Sequence, residues 1–302
     1  MEIRPILSAL MRNKTGPILV AMQVALSLAI LANALHIVND RRAVAARPSG
    51  LEDEAATFYF SLRHLNQDTP EQMLASIRRE LDVLRAVPGM AAVAQVSQMP
   101  MSNSGGTSSI AADPRQARES AYASTYFTGD SLVRALGLQL VEGRDFSSQD
   151  IPEVDETTNA GEPTQMIVTR ALAGKLWPGA SAVGKSLYFG TGDGTPSARV
   201  IGVVERLASA HAEVGERGEF SMIMPARHYG SGGAMYAMRS EPGQRDRVMQ
   251  AAEQALRASS ATPMIMRIKT TQEDRKNRYR ADLALSWMLV TVSVLLLLVT
   301  CS

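Results

Sequence analysis

The chain has little of what metalloenzymes, disulfide-built domains and nucleic-acid binders are made from. It holds one cysteine, Cys301, in its terminal apolar run, so no internal disulfide can form and the compartment cannot be read from redox chemistry. Four histidines, His36, His64, His211 and His228, are scattered without metal-ligand spacing, and neither cysteines nor clustered carboxylates assist them. No G-x-S-x-G elbow presents a nucleophilic serine. With 31 basic and 30 acidic residues the formal net charge is +1, which leaves no electrostatic footprint for nucleic acid.

What is there is apolar sequence at both ends. Pro17 to Val38 is mostly apolar over about the 20 residues that cross a bilayer, and Leu283 to Ser302 is a second such run. The layout predicts transmembrane helices at residues 17–39 and 283–302, a large extramembrane domain at 50–271 and a charged stalk helix at 272–282. Because the second run stops inside or at the edge of the membrane, the chain is expected to break off before the natural protein ends. The middle, Leu51 to Thr271, is long enough for one large or two small cores.

A basic start (Arg4, Arg12, Lys14), an apolar stretch from Ile18 to Ala32 and the run Ala32-Asn33-Ala34 also imitate a cleavable signal peptide. An uncleaved span is the better reading. Apolar residues continue through Leu35, Ile37 and Val38, and the far span needs a membrane in any case. Gln23, Asn33 and His36 are polar for lipid-facing positions and predict packing against a neighbouring helix. Basic residues flank both spans, so the positive-inside count does not decide orientation. Ile3, Ile6, Leu7, Leu10 and Met11 fall at helical spacing, as in an amphipathic helix over residues 1–16 on the cytoplasmic membrane surface or in an ordinary start of the spanning helix.

Inside the domain two stretches share one order of elements. Thr57 to Arg63 alternates like a strand, and Thr69-Pro70-Glu71-Gln72 supplies an N-cap, a proline at the first helical position and a capping-box partner. Met73, Leu74, Ile77, Leu81 and Leu84 form the buried stripe of that helix, Pro88-Gly89 ends it, and Ala91 to Ser97 follows as a strand. The later stretch repeats the order: strand Ala234 to Arg239, a helix around Val248, Met249, Ala252, Ala255 and Leu256, then strand Met264 to Ile268. Two strand-helix-strand units predict an α+β body in which both join a common sheet. Between them strands are expected at Ser120 to Tyr126, Gln165 to Thr169, Ser186 to Phe189, Arg199 to Glu205 and Ser221 to Met224. Short helices are expected at Asp130 to Leu136 and Arg170 to Leu176, and mobile surface loops at Ser102 to Arg115 and Gln149 to Thr164.

The stretch Gly179-Ala-Ser-Ala-Val-Gly184-Lys185-Ser186 matches the phosphate-binding pattern G-x-x-x-x-G-K-[ST] letter for letter. That loop works when a strand feeds into it and a helix starts on it, aiming backbone N–H groups and the helix dipole at phosphates. Here a helix ending at Leu176-Trp177-Pro178 precedes it and a strand follows, so Gly179, Gly184, Lys185 and Ser186 are read as a structural helix-to-strand turn. Gly190-Thr-Gly192-Asp-Gly194 sits where a hairpin turn is expected and is too short for a dinucleotide loop. Met99 to Met101, Met222 to Met224 and Met264 to Met266 read as alternating strand residues of the core ahead of an adaptable apolar ligand surface. No catalytic, cofactor-binding or metal-ligating residue is assigned.

The run Leu136-Gly-Leu-Gln-Leu-Val-Glu-Gly143-Arg144-Asp145-Phe146, then Ile167-Val-Thr-Arg-Ala-Leu-Ala-Gly-Lys-Leu-Trp-Pro178, Val183-Gly184-Lys185 and Arg199-Val-Ile-Gly202-Val-Val204, resembles the periplasmic core domain of MacB/FtsX-like ABC transporter permeases. The opening Ile3-Arg-Pro-Ile-Leu-Ser-Ala-Leu-Met-Arg12 followed by a span is similar to the start of that family. The resemblance implies a four-span permease in the inner membrane with a periplasmic domain of a porter-like and a strand-rich inserted part. It implies work as a dimer with cytoplasmic ATPase subunits, with a periplasmic adaptor as a further partner, for export or mechanotransmission. Spans three and four and a fused ATPase are missing from this sequence, and the substrate is not carried over. A membrane-anchored extracytoplasmic sensor or binding module is the alternative.

From Thr270 to Ser302 there is no Pro or Gly, which predicts one stiff helix running from the domain into the bilayer. Pro48-Ser49-Gly50 predicts a looser joint after the first span.

Overall fold

The computed structural model describes residues 15–66, 69–156, 162–213, 215–230, 233–260 and 263–301. The helix expected over residues 1–16 lies outside the described residues but for its last two. The helices are α1 (Thr15–Ala45), α2 (Pro70–Arg85), α3 (Leu132–Leu136), α4 (Arg170–Leu176), α5 (Arg245–Ser259) and α6 (Thr271–Cys301). The chain divides into two compact units, Met1–Arg47 with Tyr279–Ser302, and Pro48–Arg278.

In the first unit α1 carries the segment Ala21–Ala45, the one stretch among the described residues long and apolar enough to cross a membrane. Its buried positions are Ala34, Val38 and Val44, with Tyr279 and Ser286 buried on α6. Gln23, Asn33 and His36, expected to turn toward a neighbouring helix, are instead exposed. The small and branched apolar residues take the packed face because they fit closely without carrying a polar group there, while His36 faces Asp40 one turn on at 3.4 Å. Arg42 lies 6.0 Å from the ring centroid of Trp287.

In the second unit the two strand-helix-strand units build one four-stranded antiparallel sheet. Its strands are β1 (Thr57–His64), β2 (Met90–Gln95), β12 (Gly233–Ser240) and β13 (Met264–Thr270), in the order β13-β1-β12-β2. This is the split βαβ arrangement of ferredoxin-like sheets. Thr69 caps α2: its hydroxyl accepts from the Gln72 N–H at 3.4 Å, and Gln72 Oε1 accepts from the Thr69 N–H at 2.8 Å. Ile77, Leu81 and Leu84 of α2 and Val248, Ala252 and Leu256 of α5 then bury against Phe58, Phe60, Tyr236 and Met238 on one face of the sheet. Each large apolar side chain so buried contributes about 2 kcal/mol. A buried carboxylate interrupts this layer, since Glu80 accepts from the Tyr236 hydroxyl at 2.6 Å and lies 2.9 Å from His64 Nε2.

Between β2 and β12 the chain inserts a second lobe. Its sheet has seven strands, in the order β3-β4-β10-β7-β9-β5 with β8 also on β9. These are β3 (Thr107–Ile110), β4 (Ala121–Thr128), β5 (Leu140–Gly143), β7 (Gln165–Thr169), β8 (Ser186–Tyr188), β9 (Ser197–Val204) and β10 (Ser221–Pro225). A two-stranded ladder of β6 (Glu153–Asp155) and β11 (Arg227–Tyr229) completes it. The expected loop Ser102 to Arg115 thus contains a strand, β3, because pairing of Thr107 to Ile110 with β4 overrides the polar composition. Gln149 to Thr164 likewise contains β6, and its residues 157–161 lie outside the described ones. Met222 and Met224 are buried on β10 and Met264 and Met266 are half-buried on β13, whereas Met99 and Met101 are buried in a turn rather than a strand.

Candidate functional site

Where α6 begins, several polar contacts tie the helix to separate parts of the domain. Thr270-Thr-Gln-Glu273 is a capping box: the Thr270 N–H donates to Glu273 Oε2 at 2.9 Å, and the Glu273 N–H donates to Thr270 Oγ1 at 3.2 Å. With the start of α6 fixed, helical spacing puts Asp274, Arg275 and Arg278 on one side. Each is tied to a different part of the domain. Asp274, buried, accepts from the Tyr59 hydroxyl of β1 at 2.7 Å and faces Lys269 at 3.8 Å. Arg275 forks onto Glu54, Nε to Oε2 at 2.7 Å and Nη2 to Oε1 at 2.5 Å. Arg278 donates to the carbonyls of His211 at 2.7 Å and Ala212 at 3.1 Å, which belong to the inserted lobe.

The two carboxyls here are shifted in opposite net directions. Burial pushes the Asp274 carboxyl above its ordinary range, and the Tyr59 hydrogen bond and Lys269 charge offset only part of that. Burial also acts upward on Glu54, but the hydrogen bonds from Arg275 and Ser49 and the Arg275 charge outweigh it, so Glu54 lies below the usual carboxylate range. An ionised Glu54 is therefore held against a permanent cation, the strong form of a charge-assisted pair.

The loop that receives Arg278 is unusual in its backbone. Met101, Asn103 and Ala212 are the non-glycine residues with positive φ, at 61°, 56° and 45°, among the described residues. All three lie in two loops that hold each other: the Met101 N–H donates to Ser209 O at 3.1 Å and the Asn103 N–H to Ala210 O at 2.8 Å. The Tyr126 hydroxyl donates to Ala208 O at 2.7 Å, and Ser209 and Glu213 form a short hydrogen bond. Left-handed non-glycine residues cost energy and persist where the surroundings over-determine them, commonly at sites that do work.

The entry into the domain is locked to the same loop. Ser49 is buried, its carbonyl accepts from the Ala208 N–H at 2.7 Å, and its hydroxyl donates to Glu54. Gly50 has φ 94° and a Cβ there would overlap the Arg206 carbonyl. The looser joint expected at Pro48-Ser49-Gly50 is thus corrected: the glycine serves close backbone packing, not freedom. None of these partners was visible in sequence, because Glu54 and Arg275 are 221 residues apart; the capping box Thr270 to Glu273 was the available signal.

The nucleotide-loop look-alike lies elsewhere, between α4 and β8. The Trp177 N–H closes α4 onto Ala173 O at 2.9 Å, the Gly184 N–H donates to Val200 O at 2.8 Å and the Lys185 N–H to Ala182 O at 3.1 Å. The Gly184 and Lys185 N–H groups are therefore engaged by the protein's own carbonyls. Gly179 and Gly184, with φ 72° and 86°, make left-handed turns, and Lys185 Nζ sits 5.2 Å from the Trp177 ring centroid. Gly190, Gly192 and Gly194 fall in the connection between the antiparallel pair β8 and β9. The histidines are dispersed: besides His36 and His64, His211 contacts Gly105 O at 3.2 Å and His228 faces Glu156 at 3.5 Å.

Comparison with known proteins places this architecture. The sequence profile of the MacB-like periplasmic core domain matches residues 20–270. The chain belongs to that family. A search of curated proteins returned no match. Among solved structures it is similar to the extracellular domain of the noncanonic ABC-type transporter YknZ from Gram-positive bacteria, at 14% identity over 70% of this chain and 100% of that one, TM-score 0.42. It is also similar to the periplasmic region of MacB from Actinobacillus actinomycetemcomitans, at 10% identity over 78% and 97% of the two chains, TM-score 0.42. A domain of a putative permease protein from Porphyromonas gingivalis matches at 11% identity over 73% and 92%, TM-score 0.43. The Pro48–Arg278 unit is thus a MacB-like periplasmic domain of the ABC transporter permease family, on a chain that also carries a membrane-length apolar helix.

Proposed function

We propose that the chain is the permease subunit of a MacB/FtsX-like ABC transporter, and that it turns ATP hydrolysis by a separate cytoplasmic ATPase into motion of its periplasmic domain for export or mechanotransmission. Residues 17–39 and 283–302 are its spans in the inner membrane, 50–271 its periplasmic core domain and 272–282 its stalk. A second permease copy completes the assembly, with the exposed polar residues Gln23, Asn33 and His36 of α1 as candidates for that contact. A periplasmic adaptor is a further partner. The turn at Gly179, Gly184, Lys185 and Ser186 is structural and binds no nucleotide.

The observation that carries this reading is the locked base of α6. A helix rising about 1.5 Å per residue is a stiff rod, and this one is held at Asp274, Arg275 and Arg278 by groups from both lobes of the domain. Displacement of the rod therefore reaches both lobes. Asn277 is an exposed residue of α6 beside those anchors, so Asn277→Pro should kink the rod while leaving the domain folded. In the complete transporter this variant should keep ATPase activity and lose export; full export would overturn the rod.

A further inference from the structure

The four-stranded sheet ends on β13, which pairs with β1 and has no strand on its other side among the described residues. Two contacts fix which of its backbone groups face inward. The Leu65 N–H donates to Pro263 O at 3.2 Å on the β13 side of β1, and the Ser240 N–H donates to Ala56 O at 3.1 Å on the β12 side. Because neighbours along a strand alternate, odd-numbered residues of β1 bond to β13 and even-numbered ones to β12. Ser61 lies opposite Arg267 and Tyr59 opposite Lys269, so the odd residues of β13 complete the ladder. The N–H and C=O groups of Met266 and Ile268 therefore point away from the sheet. Thr270, next in that outward series, donates its N–H to Glu273 Oε2 at 2.9 Å, which ends the free edge there.

The two faces flanking this edge differ in kind. Met266 and Ile268, with Met249 of α5, are half-buried apolar residues packed on the helix-side core. Arg267 and Lys269 are exposed on the opposite face. Arg267 has no hydrogen-bond or ion-pair partner among the described residues, and Lys269 reaches the buried Asp274 at 3.8 Å. Beyond Thr270 an open groove of about 450 Å³ continues past Met249, Gln250 and Lys276. Its carboxylates are committed, Asp246 to Arg245 at 2.9 Å and Glu273 to the Thr270 N–H. Lys276 is exposed and has no partner among the described residues. The uncommitted charge along the edge is thus positive.

We propose that the β13 edge accepts, as a further strand, an extended segment of a partner protein in which apolar and acidic residues alternate. Strand addition gives affinity through main-chain hydrogen bonds and selectivity through alternate side chains. The apolar residues of the incoming strand lie beside Met266 and Ile268, and its carboxylates beside Arg267 and Lys269. A second copy of this chain is a poor occupant, because pairing β13 with itself brings like-charged Arg267 and Lys269 side chains together. Cations on an exposed edge oppose such self-pairing while leaving an acidic strand welcome. The proposal concerns a surface of the domain and holds with or without a transport cycle.

The test is fluorescence anisotropy of labelled peptides added to the full chain in nanodiscs of zwitterionic lipid. The peptide Val-Glu-Val-Glu-Val is expected to bind at least about tenfold more tightly than Val-Lys-Val-Lys-Val, and Arg267→Glu to remove or reverse that preference. Methylating either the valine or the glutamate backbone nitrogens should abolish binding for one set and spare it for the other, because only alternate N–H groups meet β13. Met266→Pro removes an outward N–H that the β1 ladder does not use, and should weaken binding at least about tenfold with the melting temperature little changed. No binding of the glutamate peptide up to about 1 mM, equal binding of the two peptides, or binding indifferent to both methylated sets would overturn the proposal. So would a disulfide between two copies through Arg267→Cys, which would assign the edge to self-association. The comparison of peptides on the unaltered chain decides it even if a variant folds poorly.

Discussion

Glu54 accepts two hydrogen bonds from Arg275 and one from Ser49, and all three residues are at most half exposed. Neutralising it should therefore cost more than losing a surface ion pair. Glu54→Gln is expected to destabilise the chain by about 2 kcal/mol at pH 7. The sign with pH follows from the lowered carboxyl: the ionised form is favoured by folding, so its stabilisation is present above the ordinary value of 4.5 and fades as pH falls below it. Urea denaturation of the full chain in detergent should show the gap between wild type and variant closing below that pH. A gap that is constant down to pH 3 would mean that the pair contributes nothing. Asp274, raised by burial, works the other way: its contribution is present below the unfolded value and is lost as pH rises through the folded one. Lys185 is the contrasting residue. Its side chain meets the Trp177 ring with both residues half-buried and has no role in the packing of the core, so Lys185→Ala should cost about 1 kcal/mol and leave transport intact. Loss of activity in a folded, inserted variant would revive nucleotide binding there.

The element that enters the domain and the element that leaves it are fixed by different means. α6 is held by side chains around its first two turns, whereas the entry at Ser49 and Gly50 is held by backbone against backbone. Gly50 combines a left-handed φ of 94° with contact to the Arg206 carbonyl. Gly50→Ala should then destabilise by about 2 kcal/mol or more, through strain and overpacking together. The same change at Gly192, which has positive φ but open space around it, should cost only the strain. Thermal melts of the two variants separate these terms, and equal losses would remove the packing argument. An insertion at Ser49 is expected to be harmful for the same reason, since it would break the Ala208 hydrogen bond.

At the scale of the whole molecule, the proposed topology puts Ser104 and Gly192 on the side opposite the N-terminus. Cysteines placed there should react with a membrane-impermeant thiol reagent in intact spheroplasts, and one at Ser8 should not. Labelling at position 8 alone would invert the arrangement. The two lobes also meet through few chain crossings, because the inserted lobe leaves β2 and returns at β12. Their mutual contacts through Tyr59, Ala94, Leu132, Leu136 and Tyr126 form one buried cluster, so hinge-like motion between them has to repack that cluster.

The sequence alone determined the apolar first helix, both strand-helix-strand units and most strands of the insert, because these rest on local periodicity and capping, which a short window contains. Thr69 capped its helix as its letters imply, and Gln165–Thr169 and Arg170–Leu176 appeared at the expected residues. Only the tertiary structure decided that Thr107 to Ile110 is a strand, since its partner β4 supplies the pairing that its own composition does not. It also decided that Gly50 is a packing point rather than a hinge, and that Glu54 meets Arg275 across 221 residues of chain. Pairings at such separation depend on how the sheets stack, and that is set by the burial of all their faces at once rather than by any one segment.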